Sequence, residues 1–492
     1  MKHMKKLAAV LVSVLMSFAM MTTVFADDAT TYTLTLNGTT EGHTYEAYQI
    51  FTGDLSTNAE GKKVLSNVKW GTGVIHSETE SAADVAKALG DGTLTLADFE
   101  NEHKLGTPAN TVTSSEGGTV IDGLAAGYYL VKDQDHTQDA KSDAYTKFIV
   151  QVVGDTEANI KSDVPTVEKK VKDTNDSTGE TSDWQDSADA DINDDVQYQI
   201  TGTMPNNIAD YTTYKYVFTD TMSKGLTFKK GSTKIMIGTK NVTLSFTENA
   251  TTNADGITVV TWTCDNLKGI DGVTLDENTN VVVTYTATLN ESAVIGAGGN
   301  PNTVNLTYSN NPNKGGEGET GKTPDDKNIV FTYKTVVNKV DQDEKTPLKG
   351  AGFTLQKKQS DGTYKDVKTF TAGDQTTFEF KGLDDGDYKL IESTTPAGYN
   401  TITPVAFTIS ATHDTTADDP KLLTLSGDVT SGSAKFTADT NAGSLTTNVV
   451  NKKGSVLPST GGVGTTMFYV AGGLMVVVAG VLLAAKKKAE AK

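Results

Sequence analysis

Three side chains in the last third of the chain have types and spacings that could react together. Lys339 lies in the run Val336-Val337-Asn338-Lys339-Val340, among apolar neighbours. Glu392 ends the run Tyr388-Lys389-Leu390-Ile391-Glu392, where a period of two puts Tyr388, Leu390 and Glu392 on one face. Leu445, Thr447, Val449 and Asn451 share a face in the same way. An amine, an acid and an amide thus all point towards a core. A carboxylate facing the same way as Tyr and Leu is costly unless it is protonated or paired. Burial lowers a lysine's pKa and leaves a neutral, nucleophilic amine. It raises a carboxyl's pKa, so Glu392 can hold a proton and move it to and from a neighbouring group. The competing readings are a buried salt bridge and a solvated lysine.

The elements that must position such groups are strands. Gly, Thr, Asn and Asp are abundant and alternating runs dominate, so the chain reads as mostly β. Residues 31–36 and 45–51 alternate, and 81–89 and 96–102 could be short helices. Strand patterns return in GTVIDGLAAGYYLVKD and AYTKFIVQVV. A proline at position 165 marks a joint, and the Gly-, Lys- and Glu-rich stretch 313–326 reads as an exposed loop after a unit that ends in NTVNLTYSNNP. At about 150 residues per domain, residues 27–460 hold three domains. The expected division is 1–26 signal peptide, 27–162, 163–330, 331–454 and 455–492.

Composition narrows the function. Formal charge is −19, which disfavours nucleic acid as a partner. The one cysteine, Cys264, cannot form an internal disulfide and reads as a small buried apolar residue. His3, His43, His76, His103, His136 and His413 make no zinc pattern, and no GxSxG or phosphate loop is present, so no enzyme, cofactor or metal is expected. Asp189, Asp191 and Asn193 have the spacing that opens an EF-hand loop. Asp194 stands where glycine is needed and Ile200 where glutamate is needed, so residues 186–195 read as a solvated turn.

The two ends carry targeting signals. Basic residues, a short apolar run and Val24-Phe25-Ala26 make a secretory signal peptide cleaved after Ala26. Leu457-Pro458-Ser459-Thr460-Gly461 resembles the LPxTG signal of sortase substrates. It is followed by an apolar run over residues 467–485 and by Lys486, Lys487 and Lys488. As a helix of about 1.5 Å per residue that run nearly spans a bilayer core of about 30 Å, with the basic tail cytoplasmic. The resemblance implies that a sortase thiol attacks the Thr460 carbonyl and hands it to an amine.

Three further segments resemble the backbone pilins of Gram-positive bacteria. GHTYEAYQIFTG is similar to their first domain, and PTVEKK with YVFTDTMSKGLTF to their middle domain. VVNKVDQDEKTPLKGAGFTLQKK, YKLIESTTPAGY and LTTNVVNKKG resemble a collagen-adhesin B-type domain. The implied fold is three tandem immunoglobulin-like β-sandwiches with a C-terminal transmembrane sorting helix. In that family a lysine and an asparagine join through an intramolecular isopeptide bond, with the acid as proton shuttle. The resemblance assigns these roles to Lys339, Asn451 and Glu392. In the middle domain it assigns them to Lys169, Asp220 and Asn302, with Asn310 as the alternative asparagine. GYYLVKD puts Asp133 in the acid's place in the first domain, but its opening strand has no lysine, so no bond is expected there. Backbone pilins also carry a lysine late in the first domain that receives the next subunit's threonine. Here the nearest candidate is Lys161, without the usual Tyr-Pro before it.

The resemblance implies a structural shaft subunit of a covalent surface pilus on the cell wall. Its implied partners are a sortase, further copies of itself, ancillary pilins, peptidoglycan and host surface molecules. The alternative is a wall-anchored adhesin or ancillary pilin that is not polymerised.

Overall fold

The structure is a computed structural model that describes residues 30–58, 61–134, 144–160, 164–454 and scattered positions between 472 and 486. Its sheets fall into three groups along the chain.

In the first group, the strand Tyr32–Asn37 lies between Gly118–Leu124 (antiparallel) and Thr156–Asn159 (parallel). A second sheet is built on the long strand Thr44–Thr57 and its partner Gly127–Asp133. The two expected helices form as Ala82–Gly90 and Leu96–Glu102. The side chains of Ser81 and Thr95 accept the Asp84 and Asp98 amides, supplying the acceptors that helix N-termini lack internally. Two separate small cores result, one around Leu34, Tyr45 and Tyr129, the other where the helices cover Phe51 with Val85 and Phe99.

The middle group is a two-sheet sandwich. One sheet runs in the order Val167–Val171, Asp195–Gly202, Val281–Leu289, Lys234–Ile237, Lys240–Asn241. The other runs Ser187–Asp189, Asp326–Phe331, Asn300–Ser309, Tyr216–Met222, Thr258–Cys264, Thr247–Thr252. Val281, Val283, Tyr285, Ala287 and Leu289 are buried while the residues between them are half-exposed, as a strand with one face on a core requires. Tyr198, Phe218, Trp262 and Leu306 fill the space between the sheets. Cys264 is a buried free thiol.

Two expectations fail here. The stretch 313–326 is not simply an exposed loop. It contains a short 3-10 turn, Pro312–Lys314, and a strand, Thr320–Lys322, that pairs with Asn300–Ser309. The strand Asp326–Phe331, which buries Ile329, Val330 and Phe331, also belongs to this sandwich. Residues 186–195 are also not a solvated turn. Ser187–Asp189 is a buried strand paired in parallel with Asp326–Phe331, and Asp191 reaches the third unit.

The third group pairs Thr377–Leu383, Tyr333–Val340, Ser444–Val450 and Thr437–Asp439 in one sheet. The other contains Tyr364–Phe370, Gly352–Lys358, Gly386–Thr394, Val405–His413 and Leu422–Ser431. Val337, Phe353, Phe378, Phe380, Leu390 and Leu445 form the core between them. The first and last strands of this unit, Tyr333–Val340 and Ser444–Val450, run side by side in parallel. The chain is thus mostly β, in tandem sandwich-like units.

Among the described residues no helix is long and apolar enough to cross a membrane. Positions 474–481 are helical and exposed; apart from 472 and 483, the other residues of the expected spanning run 467–485 lie outside the described residues. The signal peptide, Lys161 and Leu457, Pro458, Ser459, Thr460 and Gly461 lie outside the described residues.

Candidate functional site

In the third unit, strand pairing sets the first positions. Lys339 is opposite Val449 in the parallel register, and Asn451 follows two residues later, its amide N donating to the Val340 carbonyl at 3.2 Å. Glu392 reaches them from the facing sheet. Lys339 is 0% exposed, Asn451 0% and Glu392 5%. The Asn451 Nδ2 donates to Glu392 Oε1 and Oε2 at 2.8 and 3.1 Å. Glu392 Oε2 also accepts from the Ile402 amide at 3.0 Å. The Lys339 Nζ donates to the carbonyls of Val449 and Val340 at 2.9 and 3.1 Å, not to the acid. Burial pulls Lys339 down to about 8, against the raising effect of the Glu392 and Asp341 charges. The amide therefore lies with its nitrogen, the potential leaving group, against a carboxyl. Its oxygen has no hydrogen-bond partner.

The middle unit uses different strands for the same residue types. Lys169 is on the edge strand Val167–Val171, Asp220 on Tyr216–Met222 and Asn302 on Asn300–Ser309. Lys169 Nζ donates to Asp220 Oδ2 at 2.9 Å and to the Tyr285 hydroxyl at 2.6 Å. The Tyr285 hydroxyl in turn donates to Asp220 Oδ2 through a short contact, and it accepts from Asn302 Nδ2 at 2.8 Å. The lysine nitrogen lies 5.2 and 5.1 Å from the ring centres of Tyr198 and Tyr285, which stack on each other. Burial lowers the Lys169 pKa and raises that of Asp220, and in each case the partner's charge only opposes it. Both directions favour a neutral amine beside a protonated acid.

The structure therefore gathers Lys169, Asp220 and Asn302. Asn310 is not among them. It lies eight residues on, about 27 Å along an extended strand, where its carbonyl accepts the Tyr145 amide of the first unit at 2.7 Å. Sequence reasoning missed Tyr285, although VVVTYTATL did hold the signal: one hydroxyl on an otherwise apolar buried face. It also missed Asn328, which is buried and is the register partner of Asn302. In the first unit Asp133 meets His43 Nδ1 at 2.8 Å and accepts the Thr146 amide at 2.6 Å.

A second charged cluster joins the middle and third units. Lys357 Nζ lies 2.7 Å from Asp191, 2.8 Å from Asp384 and 3.3 Å from Asp176. Burial would lower the Lys357 pKa, but the charges of Asp384 and Asp191 raise it. Burial pushes Asp189 up to about 8 and Asp384 well above the usual carboxylate range. The carboxylates of Asp176, Asp191 and Asp384 thus surround an ammonium group supplied by the chain itself.

Comparisons with known proteins match three segments of the chain to family models. A family model for the Gram-positive pilin backbone subunit 2, Cna-B-like domain, matches residues 192–312. One for the SpaA prealbumin-like fold domain matches 334–421, and one for the LPXTG cell wall anchor motif matches 449–492. The Trypsin-resistant surface T6 protein of Streptococcus pyogenes serotype M6 is 26% identical over 386 residues, which cover 73% of this chain and 68% of that one. The solved T6 backbone pilin of serotype M6 Streptococcus pyogenes is a modular three-domain structure decorated with variable loops and extensions. It is 20% identical, covers 88% of this chain and 100% of its own, and superposes with a TM-score of 0.53, which shows the shared fold. With pilin-backbone, prealbumin-like and wall-anchor domains in sequence, the chain is homologous to the Gram-positive backbone pilins.

Proposed function

We propose that this chain is the structural shaft subunit of a covalent, cell-wall-anchored surface pilus. In this reading a sortase cuts after Thr460 and joins the Thr460 carbonyl to Lys161 of the next copy. Peptidoglycan is the final acceptor, and ancillary pilins and host surface molecules are the outer partners. Intramolecular bonds Lys169–Asn302 and Lys339–Asn451 brace the subunit, with Asp220 and Glu392 moving the protons.

The observation that carries the reading is the pair of buried lysine–acid–asparagine clusters in domains homologous to pilin backbones. The neutral lysine amine attacks the asparagine Cγ. The acid accepts a proton from the amine and gives one to the departing nitrogen, which leaves as ammonia. Each lysine reacts once, so the protein is its own substrate and not an enzyme. In the third unit the bond would join the first strand to the last, so tension passes through without unzipping the sheet. In the middle unit it would join the first strand to the Asn300–Ser309 strand, leaving Asp326–Phe331 beyond it.

Immunoblots of wall extracts test the shaft. A ladder of detergent-resistant species is expected, and Lys161→Ala should collapse it to monomer. A single band from the wild type favours the wall-anchored adhesin instead, and a ladder that persists in Lys161→Ala moves the acceptor to another lysine.

A further inference from the structure

Asn328 is fully buried in the strand Asp326–Phe331, and neither its Nδ2 nor its Oδ1 has a hydrogen-bond partner. A buried amide in that condition has lost its water and gained nothing in return. Its location gives it a use. Asn328 is the antiparallel register partner of Asn302, so the two side chains leave the same face with Cβ atoms about 5 Å apart. The Asn302 Oδ1 is likewise buried and without a partner. On the same strand, the Asp326 carboxylate accepts the Lys169 backbone amide, so this strand runs directly beside the attacking residue. An unused donor and an unused carbonyl oxygen thus share one face of the reaction site.

We infer that Asn328 is a catalytic residue of the middle-unit bond, its Nδ2–H stabilising the negative charge that develops on Asn302 Oδ1. This rests on the bond-forming reading above. When the neutral Lys169 Nζ attacks Asn302 Cγ, the new C–N bond forms and the carbonyl π electrons move to Oδ1. Asn328 donates to that oxygen. Lys169 Nζ loses a proton to the Asp220–Tyr285 network, and Asn302 Nδ2 gains one. The Cγ–Nδ2 bond then breaks, the carbonyl re-forms and ammonia leaves. The groups already bonded around the site hold the amine, the acid and the leaving nitrogen, and none of them bonds the oxygen. A donor that is idle in the ground state and engaged in the transition state accelerates the step without stabilising the reactant.

The test follows the full chain through an isotopic pulse and chase. Each sample is denatured and digested, and the peptide pair joined through Lys169 and Asn302 is counted by mass spectrometry against the two free peptides. The wild type is expected to be joined at the first time point, and Asn328→Ala to join about 10²–10³-fold more slowly, the loss typical of one oxyanion donor. Asn328→Ser keeps a donor and should recover part of the rate. Asn328→Leu, close in shape and without a donor, serves in the same comparison if the alanine chain misfolds. In an Asn302→Ala background, which cannot react, adding Asn328→Ala should leave the thermal midpoint of the middle unit unlowered. Joining in the donor-less variants as fast as in the wild type overturns the role of Asn328 alone, and so does a lowered midpoint in the unreactive background. Absence of the joined pair from the wild type overturns the bond reading as well.

Discussion

Replacing Asn451 by alanine removes the proposed third-unit bond while leaving Lys339 and Glu392 in place. The bond would close a loop of 112 residues (451 − 339). By the chain-entropy relation used for disulfides, a loop of that size restricts the unfolded chain by about 5 kcal/mol. A unit of about 120 residues unfolds with an entropy of about 2.1 cal/mol/K per residue, or about 0.25 kcal/mol/K in all. The quotient is a fall of roughly 20 °C in the midpoint of the third unit. Lost hydrogen bonds contribute little to this figure, because Glu392 keeps the Ile402 amide. Differential scanning calorimetry of the secreted chain resolves the transition, and intact mass reports the bond, since the wild type should weigh about 17 Da less than its sequence for each ammonia lost. A wild type with the mass deficit and an Asn451→Ala midpoint only about 5 °C lower would refute the loop-entropy argument. A wild type without the deficit would refute the bond.

Lys339 gives a pH dependence. Its folded pKa is depressed to about 8, so the unbonded Asn451→Ala fold binds fewer protons than the unfolded chain between that value and the ordinary lysine range. Its stability should fall as the pH drops through that window to about 8, and level off below it. Urea titrations from pH 7 to 10.5 check this, and the slope should be absent from the wild type, where the amine is consumed; an equal slope in both would sink the assignment. Tyr285→Phe removes the hydroxyl that contacts Lys169, Asp220 and Asn302, and should slow joining of the middle-unit peptides by roughly tenfold or more. Unchanged joining would leave that hydroxyl a structural role only. Lys357→Met strips the counter-charge from Asp191 and Asp384 at the junction and should cost about 3–5 kcal/mol. Calorimetry should show the cost shrinking in mild acid, where Asp194, pushed up to about 6 by burial against the lowering effect of the Lys357 charge, takes up a proton. A cost under about 1 kcal/mol at neutral pH would show that the junction does not depend on this ion cluster.

The sequence by itself determined whatever a local period or motif can encode. Alternation put Lys339, Glu392 and Asn451 on buried faces, because a strand turns every second side chain to the same side. Local pattern also placed two short helices, which form as Ala82–Gly90 and Leu96–Glu102, and the structure adds that Ser81 and Thr95 cap them. The end motifs needed no tertiary structure at all. What only the fold decided is which strands lie beside one another. Asn302 and Asn310 have the same residue type and the same face, yet only sheet order and register bring one of them to Lys169. Tyr285 and Asn328 entered the site from strands that no local pattern ties to the lysine. The acidic run 186–195 looked like a solvated turn because its charge was legible and its partner Lys357, 166 residues from Asp191, was not. Pairing between distant strands depends on the packing of a whole sandwich, and a window of ten residues carries no record of it.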